Sequence, residues 1–548
     1  VITCVQQKNY YYQKYKRYKN NNDLNKFKYY RSLCKTLTKN AYTAYIHNIE
    51  NQIQKDPKTF WSFLHNKRGS TRIPGTMSYQ DLELSSPTEI VNAFGAYFSS
   101  VFISSDPSID NSHNFTGKDI PNALVSISDI TEEEILLALK RSKQSLTSGT
   151  DLIPSFILKD CAYILVKPLH YLFNLILRTS SFPEKWKKAT VTPIFKKGDP
   201  SMIQNYRPIC LLCNFVKIFE SILYVRIYSN IKSYLTTFQH GFVEKKSTVT
   251  NLVSFCQYAA EAIDHQNQLD VVYTDITKAF DHIDHFLLLK KLQCFGFSKP
   301  LLTLIKSYLF NRELVVKYRN FMSQPFTPRS GVPQGSNLGP LLFILFINDI
   351  VDGLNCNKLL FADDLKLFLE VKSLSDCQQL QLDLNRLIYW GKCNRLSINQ
   401  SKCFVVSYSR KASVVKFDYY MEDVVLTRLD RYKDLGVVFD NKFYFSNHIA
   451  ECISKAYKMY GFIYRNCRDF SNTHSLIALF NSLVRSSLEY CALIWFPIYN
   501  TYIDQIERIQ RKFLKFVAYL TDGVYPPRGY NHELLLARLI ANDFTQEG

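Results

Sequence analysis

Apolar residues recur at helical spacing in three parts of the chain. Thr131-Glu132-Glu133-Glu134 has the spacing of a capping box, and the apolar residues that follow it supply one helical face. Those residues are Ile135, Leu136 and Leu139. Two later stripes, with spacings of three and four, comprise Ile449, Cys452, Ile453, Ala456, Met459, Tyr460 and Ile463, and then Ile503, Ile506, Ile509, Phe513, Phe516 and Leu520. The C-terminal part is therefore predicted to be helical.

Shorter apolar runs predict strands, and acidic residues stand at their ends. Val271-Val272-Tyr273-Thr274 leads into Asp275, while Asp363-Asp364 lies between the apolar runs 359–362 and 365–368. A lone Asp-Asp pair is most often the tip of a surface hairpin. Because unpaired buried charge is costly, however, acids within apolar runs suggest a strained functional turn whose charge Mg²⁺ would balance.

A third segment, Ser330-Gly-Val-Pro-Gln-Gly-Ser336, stands directly before the apolar run 341–347. Its glycines permit close backbone approach to a ligand. This segment resembles motif B of reverse transcriptases, Asp275-Ile-Thr-Lys-Ala-Phe-Asp281 resembles motif A, and Phe361-Ala-Asp-Asp364 resembles motif C. In detail, the three are similar to the motifs of non-LTR retrotransposons, the LINE-type elements, of the jockey-like branch. An ordinary turn before a core helix would explain the Gly and Pro, but not the order of the three segments.

The resemblance continues on both sides of these motifs. Residues 192–199 and 205–209 look like the family's fingers segment, and 239–242 like the segment that contacts template. Residues 390–403 are similar to motif D, and 432–437 resemble motif E, the primer grip, which contains Leu435 and Gly436. The family fold that this implies is of the α+β class: a right-hand polymerase with fingers, an antiparallel-sheet palm, a helical thumb and here an N-terminal helical extension.

The resemblance also implies roles for single residues. Asp275, Asp363 and Asp364 would hold two Mg²⁺ ions, or Mn²⁺ as a substitute, with the Ile276 carbonyl completing a coordination shell. Lys196, Lys197 and Arg207 would clamp the triphosphate, and Gln334 and Gly335 would line the nucleotide pocket. Phe280 would clash with a ribose 2′-hydroxyl and so favour deoxynucleotides. The alternative is that Phe280 is an ordinary aromatic residue of the core. Lys402 is a candidate general acid for the departing pyrophosphate, or a surface lysine.

Composition agrees with a polyanion as partner. The 548 residues carry 67 Lys and Arg against 48 Asp and Glu, a net charge of +19. An anionic membrane surface is the competing partner, but no uncharged apolar run approaches the ~20 residues of a spanning helix. The 14 cysteines are scattered, and Cys210-Leu-Leu-Cys213 is interpreted as core filling. The expected partners are an RNA template, a DNA primer or nicked target DNA, and deoxynucleoside triphosphates, with no membrane.

Two basic regions are candidates for nucleic-acid contact. The run 10–19 alternates tyrosines with lysines and arginine, so it predicts either an RNA-binding helix or a solvated helix whose tyrosines pack on the body. Arg508, Arg511, Lys512 and Lys515 cluster in the last apolar stripe, where a thumb would face phosphates or a solvated face would face water.

The predicted organisation has five parts. Residues 1–68 form a basic, tyrosine-rich helical extension, 69–120 a linker module, 121–270 mainly fingers, 271–444 mainly palm, and 445–548 a helical thumb. The start at Val1 and the lack of a second carboxylate constellation for an endonuclease or RNase H predict a fragment, or a decayed copy, of a longer protein.

The predicted reaction is RNA-templated addition of deoxynucleotides to a primer 3′-hydroxyl. A catalytically inactive nucleic-acid-binding relic is the first alternative. An RNA-dependent RNA polymerase is the second, although such enzymes typically have Gly before the paired acids and a polar residue in place of Phe280. The resemblance implies localisation to cytoplasm and nucleus.

Overall fold

A computed structural model describes residues 1–53, 55–68, 73–103, 125–411, 413–527 and 529–544. The described residues form two compact units. One comprises those within 1–71 and 445–548, and the other those within 72–444. Of the predicted linker module 69–120, residues 73–103 are described and belong to the second unit, and residues 69–72 and 104–120 lie outside the described residues.

The helices are, in chain order, α1 (Ile2–Tyr18), α2 (Asn21–Ile53), α3 (Lys58–Arg68), α4 (Pro87–Val101), α5 (Glu132–Arg141), α6 (Ser155–Asp160), α7 (Ala162–Thr179), α8 (Glu184–Lys187), α9 (Asn214–Ile231), α10 (Thr248–Asp264), α11 (His285–Cys294), α12 (Lys299–Leu309), α13 (Gly339–Phe346), α14 (Leu374–Cys393), α15 (Ser446–Asn466), α16 (Thr473–Phe480), α17 (Ser486–Glu489), α18 (Ala492–Trp495), α19 (Asn500–Asp522) and α20 (His532–Phe544).

The strands are β1 (Met77–Tyr79), β2 (Leu82–Leu84), β3 (Lys188–Phe195), β4 (Tyr206–Leu211), β5 (Gln268–Thr274), β6 (Glu313–Tyr318), β7 (Phe321–Met322), β8 (Asn357–Phe361), β9 (Asp364–Val371), β10 (Phe404–Tyr408), β11 (Tyr420–Met421), β12 (Val424–Val425), β13 (Thr427–Arg428), β14 (Arg431–Asp434) and β15 (Val437–Asp440).

A five-stranded sheet in the order β13-β10-β5-β9-β8 organises the second unit. Its central strand β5 runs antiparallel to both β9 and β10, and every residue of β5 is buried. Leu269 and residues 271–273 are apolar, and the buried Asp270 carboxylate accepts hydrogen bonds from the side chains of Gln268, Ser407 and Tyr419. Mixed helix and a mainly antiparallel sheet confirm the α+β class.

A second sheet, in the order β4-β3-β6-β7, carries the basic residues of the predicted fingers segment. Strands β3 and β4 are antiparallel, with Ile194 opposite Arg207. Helix α13 fills the core beside the first sheet, since residues 341–347 are all buried. The apolar run after the glycine-rich segment is thus a core helix.

The capping box at Thr131 is confirmed. The Thr131 side chain accepts from the Glu134 backbone N–H, and the Glu134 carboxylate accepts from the Thr131 N–H. Ile135 and Leu139 are fully buried on the predicted face. Glu134 also forms a two-pronged ion pair with Arg226, which lowers the pKa of that carboxyl.

The first unit joins the two ends of the chain. Helices α1 and α2 pack as a hairpin in which the Tyr11 and Tyr30 rings stack at 5.6 Å. The buried Glu50 carboxylate of α2 accepts from the backbone N–H groups of Ser471 and Asn472, at 2.6 and 2.7 Å. Trp61 of α3 stacks on Phe462 of α15 at 6.1 Å. Regions that the sequence presents as separate therefore share one core.

Both predicted C-terminal stripes are confirmed as inward faces. In α15, Ile449, Ile453, Ala456 and Ile463 are buried, and in α19, Ile509, Phe513 and Phe516 are buried. The four basic residues predicted on α19 are all exposed. No helix among the described residues combines the length and apolarity that a membrane span requires.

Candidate active site

Asp275 follows the last residue of β5, where the central strand leaves the sheet. Its carboxylate forms an ion pair with the Lys402 ammonium at 2.8 Å. A short antiparallel bridge holds this segment, because the Asn399 N–H donates to the Asp275 carbonyl and the Thr277 N–H to that of Ser397. Residues of the predicted motifs A and D therefore meet at one place.

Asp363 lies in the turn between β8 and β9, and Asp364 is the first residue of β9. Phe361 pairs with Asp364, so only Ala362 and Asp363 form the turn. Ala362 has a φ of 56°, a left-handed conformation that is uncommon for a residue with a side chain and marks local strain. The prediction of a strained turn is confirmed at this residue.

Gln239 holds the strained turn in place. Its buried side-chain oxygen accepts from the N–H groups of Ala362 and Gly241, at 2.9 and 2.7 Å, and its amide N–H donates to the Ala362 carbonyl. A Cβ on Gly241 would lie 2.3 Å from the Ala362 nitrogen, so only glycine fits there. The sequence suggested template contact for this segment and did not reveal its bracing of the turn.

The three acids are electrostatically coupled. Burial raises the pKa of the Asp363 carboxyl, and the negative charge of Asp275 adds to this rise. Burial also raises the pKa of Asp364 to about 6, together with the charges of Asp363, Asp434 and Asp275. The fold thus concentrates more negative charge here than the acids by themselves favour.

This charge excess fits a hard divalent cation, for which carboxylate oxygens are the preferred ligands. Within the described residues, no three acidic, His or Cys side chains are already grouped as a metal-binding set, and the Lys402 ammonium balances Asp275 instead. The Ile276 carbonyl takes no part in the bridge to residues 397–399, so its predicted ligand role stays a prediction.

Asp275 and Asp363 line one cavity of about 630 Å³, here called the carboxylate cavity. Most of the predicted site residues line it too, namely Lys196, Arg207, Ile276, Phe280, Gln334, Gly335 and Lys402. Partial burial lowers the pKa of Lys196, and the positive charges of Arg207 and Lys402 lower it further. Lys197 and Asp364 are not among the lining residues.

Phe280 is held rigidly on the wall of this cavity. Its ring stacks on that of Phe343 in α13, with centroids 4.2 Å apart and planes at 17°. Phe242 meets it edge-on at 6.1 Å. The ring is half-buried and packs against the core, so moving it away from a group in the cavity would cost these contacts.

The backbone of Gly335 passes close to Cys210 in β4. It has a φ of 109°, and a Cβ there would lie 2.7 Å from the Cys210 carbonyl oxygen. A second cavity of about 570 Å³, here called the basic groove, shares Gly335 with the carboxylate cavity. Arg141, Lys143 and Lys217 line this groove, and its acid Glu134 is neutralised by Arg226.

The hairpin of β14 and β15 carries the predicted primer grip. Leu435 and Gly436 form its two-residue turn, with φ values of 42° and 92°. The buried Asp434 carboxylate pairs with the buried Lys366 ammonium of β9, and Tyr432 stacks on Tyr273 of β5 at 3.9 Å. These contacts fasten the hairpin to the strands that carry the acids, which sequence spacing did not reveal.

The four basic residues of α19 belong to the other compact unit. Their predicted contact with nucleic acid stays a prediction. Cys210 and Cys213 are buried, and burial raises the pKa of each thiol to about 11, as expected for core filling.

The sequence of this chain is similar to those of known proteins. A family model described as reverse transcriptase (RNA-dependent DNA polymerase) matches residues 194–439. The chain is 30% identical over 345 residues to the probable RNA-directed DNA polymerase from transposon BS of Drosophila melanogaster, covering 61% of this chain and 38% of that protein. It is 28% identical over 398 residues to the probable RNA-directed DNA polymerase from transposon X-element of the same species, covering 70% and 43%.

A third relative is the RNA-directed DNA polymerase from mobile element jockey, also of Drosophila melanogaster, at 28% identity over 344 residues. The match covers 61% of this chain and 37% of that protein, so the chain spans about two fifths of the length of these relatives. Residues 194–439 form a reverse transcriptase domain. Over residues 194–439 the chain is therefore similar to reverse transcriptases, and the three relatives are named as RNA-directed DNA polymerases of transposons or mobile elements.

Proposed function

We propose that this chain is an RNA-directed DNA polymerase that adds deoxynucleotides to a primer 3′-hydroxyl on an RNA template. One observation carries the proposal: Asp275 and Asp363 share a single cavity with Lys196, Arg207 and the rigid ring of Phe280. Acids, phosphate-binding cations and an aromatic barrier in one cavity suit a nucleoside triphosphate that lacks a 2′-hydroxyl.

The residues would divide the work as follows. Arg207 and Lys196 bind the triphosphate oxygens, and Phe280 excludes the 2′-hydroxyl of a ribonucleotide. Asp275, Asp363 and Asp364 would hold divalent cations, Mg²⁺ or Mn²⁺, which when bound activate the primer hydroxyl and stabilise the leaving group. Lys402, whose ammonium lies in the same cavity, donates a proton to the oxygen of the departing pyrophosphate.

The proposed right-hand arrangement places the fingers in 121–270, the palm in 271–444 and the thumb in 445–548. The five-stranded sheet is the evidence for assigning a palm, and the helices of the C-terminal region are the evidence for assigning a thumb. We assign the basic groove as the path of the RNA template, because three cationic side chains and several hydroxyl groups line it beside Gly335. A DNA primer or nicked target DNA as partner, and work in the nucleus and cytoplasm, belong to the same proposal.

Primer extension on a defined RNA template with Mg²⁺ tests the proposal. Wild type should extend with deoxynucleotides, and Asp363→Asn should lose at least about a thousandfold in rate because it removes a charge without changing size. Asp264→Asn is the matched control, since Asp264 is exposed at the end of α10. A wild type that binds template but extends nothing would favour the inactive relic.

A further inference from the structure

Asp281 is a buried acid that the proposed chemistry does not use. It lies one residue beyond Phe280, at the end of the predicted motif A, and is 8% exposed. Its carboxylate accepts a hydrogen bond of 2.7 Å from the Gln334 side-chain N–H. Gln334 and Asp281 both line the carboxylate cavity, so the Gln334 amide is held by an acid on the same wall.

Backbone contacts keep the two residues at this separation. The Ser330 hydroxyl donates to the Asp281 carbonyl at 2.6 Å, and the Val332 N–H donates to the Phe280 carbonyl at 2.9 Å. Gly331 has a φ of 82°, and a Cβ there would lie 2.7 Å from the Asp281 carbonyl oxygen. The segment that carries Gln334 is therefore packed directly onto the segment that carries Asp281.

The backbone of Gln334 is also held in place. Its backbone carbonyl accepts from the Cys210 N–H of β4 at 2.8 Å. With the main chain held on one side and the carboxylate on the other, the remaining freedom of this side chain is the orientation of its terminal amide. An ionised carboxylate can only accept hydrogen bonds, so it selects the orientation in which the amide nitrogen faces Asp281.

We propose that Asp281 is a positioning residue that fixes the Gln334 carboxamide, so that the amide oxygen faces the nucleotide and its templating base in the carboxylate cavity. The inference rests on the proposed polymerase function. A fixed acceptor distinguishes base pairs by which hydrogen-bond donors they present, whereas a freely rotating amide offers donor and acceptor alike. Asp281 thereby acts on nucleotide affinity and on the accuracy of incorporation.

The charge state of Asp281 adds a readout that depends on pH. Burial raises the pKa of the Asp281 carboxyl to about 6, against the lowering by the Gln334 hydrogen bond and by the positive charges of Lys278 and Arg207. The other titratable or charged groups around it are Tyr97, Cys210, His285 and Arg312. A protonated carboxyl can donate to an amide oxygen, so acid favours the reversed amide.

Steady-state primer extension with single deoxynucleotides, correct and mismatched, tests this role. Asp281→Ala should raise both the KM for the correct deoxynucleotide and the misincorporation ratio about tenfold, with kcat within about threefold of wild type. Asp281→Asn should restore both only in part, because its side chain can accept from Gln334 but can also donate to it. The double variant Asp281→Ala with Gln334→Ala should equal Gln334→Ala alone, because the two residues act in series.

The pH profile separates positioning from simple support of the fold. Misincorporation by wild type should rise as the pH falls from 7.5 to 5.5, while the Asp281→Asn variant, which cannot titrate, should stay flat. If Asp281→Ala does not fold, this comparison decides the question. An equal rise in both proteins, or an Asp281→Ala protein with unchanged KM and accuracy, would overturn the proposal.

Nucleotide affinity without turnover keeps this inference apart from the proposed function. A template–primer complex with a 3′-deoxy primer binds the correct deoxynucleotide without extending. Failure of wild type to extend a normal primer would count against the polymerase. The expected tenfold weaker binding by Asp281→Ala would still be measurable in the blocked complex, and equal binding by both proteins would refute the role of Asp281.

Discussion

Phe280 shows how one side chain acquires a function from its support. Any Phe is apolar enough for the core, but this ring has one face on Phe343 and its exposed part on the carboxylate cavity. The stack on α13 makes the ring a rigid wall. A selector must be rigid, because a mobile ring would move aside for the extra hydroxyl.

We therefore expect Phe280→Ala to admit ribonucleotides. The preference for deoxynucleotides, measured as the ratio of kcat/KM values on an RNA template, should fall by at least about tenfold because the steric barrier is removed. Phe286→Ala is the control, since Phe286 is exposed on α11. An unchanged preference would show that another residue reads the sugar.

His240 makes stability depend on pH. Burial, with the positive charges of Lys246 and Lys366, lowers the pKa of its imidazole to about 4, and its ring nitrogen lies 2.8 Å from the Thr250 hydroxyl. A folded pKa below the usual ~6.5 means that the neutral ring stabilises the fold above pH 6.5 and that this contribution is lost as the pH falls towards 4.

Wild type should therefore lose at most about 2–3 kcal/mol more unfolding free energy than His240→Gln between pH 7.5 and 4.5. Urea unfolding at both pH values measures the difference. His265→Gln, at an exposed position, should follow wild type. Equal losses in wild type and His240→Gln would contradict the assignment.

At the scale of elements, the hairpin β14–β15 depends on the strand β9. Lys366 and Asp434 are both buried, and the Lys366 ammonium also lies 4.7 Å from the centre of the Phe255 ring. Neither charge is stable in such a place without the other. The position of the predicted primer grip thus depends on an ion pair close to the acids.

Asp434→Ala should lower the free energy of unfolding by about 3–5 kcal/mol, because it leaves a buried ammonium without its partner. Primer extension should fall with it. Replacing both residues, Lys366→Met with Asp434→Leu, should restore most of the stability, which chemical denaturation measures. A single variant as stable as wild type would show that the pair contributes little.

The basic groove between α5, α9 and the segment around Gly335 gives a prediction about template binding. Lys217→Ala should weaken binding of single-stranded RNA and reduce the slope of log affinity against log salt by about 0.7 per phosphate contact. Lys299→Ala on α12 is the control, since it lies outside the groove. An unchanged slope would place the template elsewhere.

At the scale of the whole molecule, the chain ends meet in one unit. Glu50 supplies a carboxylate to two backbone N–H groups at the start of α16, and Tyr42 donates to Asp469 at 2.8 Å. Burial, together with that hydrogen bond, raises the pKa of Tyr42 to about 12. The N-terminal helices therefore stabilise the helices of the predicted thumb.

Glu50→Ala should destabilise this unit by about 2–4 kcal/mol, because buried N–H groups lose their acceptor. Hydrogen exchange should accelerate in peptides from α2, α15 and α16, while peptides from β5 in the other unit keep their protection. Glu533→Ala, exposed on α20, serves as the control. Equal acceleration in β5 would mean that the two units unfold together.

Much of the site was predictable because local patterns carry it. The acids at the ends of β5 and β8, the capping box of Thr131 and the inward faces of α15 and α19 all follow from spacing that one segment contains. Lys366 with Asp434, Gln239 with Ala362 and Glu50 with residues 471–472 were not predictable. Each pair joins residues far apart in sequence, and the local sequence of neither segment indicates which residue it will contact.

The sequence by itself determined the class of elements, the reverse transcriptase motifs and the acids that carry the proposed chemistry, since periodicity and motif order are local properties. Only the tertiary structure decided that Lys196 rather than Lys197 lines the cavity, that Phe280 is backed by Phe343, and that Asp281 holds Gln334. The physical reason is that side-chain direction and burial are set by packing between distant segments, and packing determines which groups share a cavity.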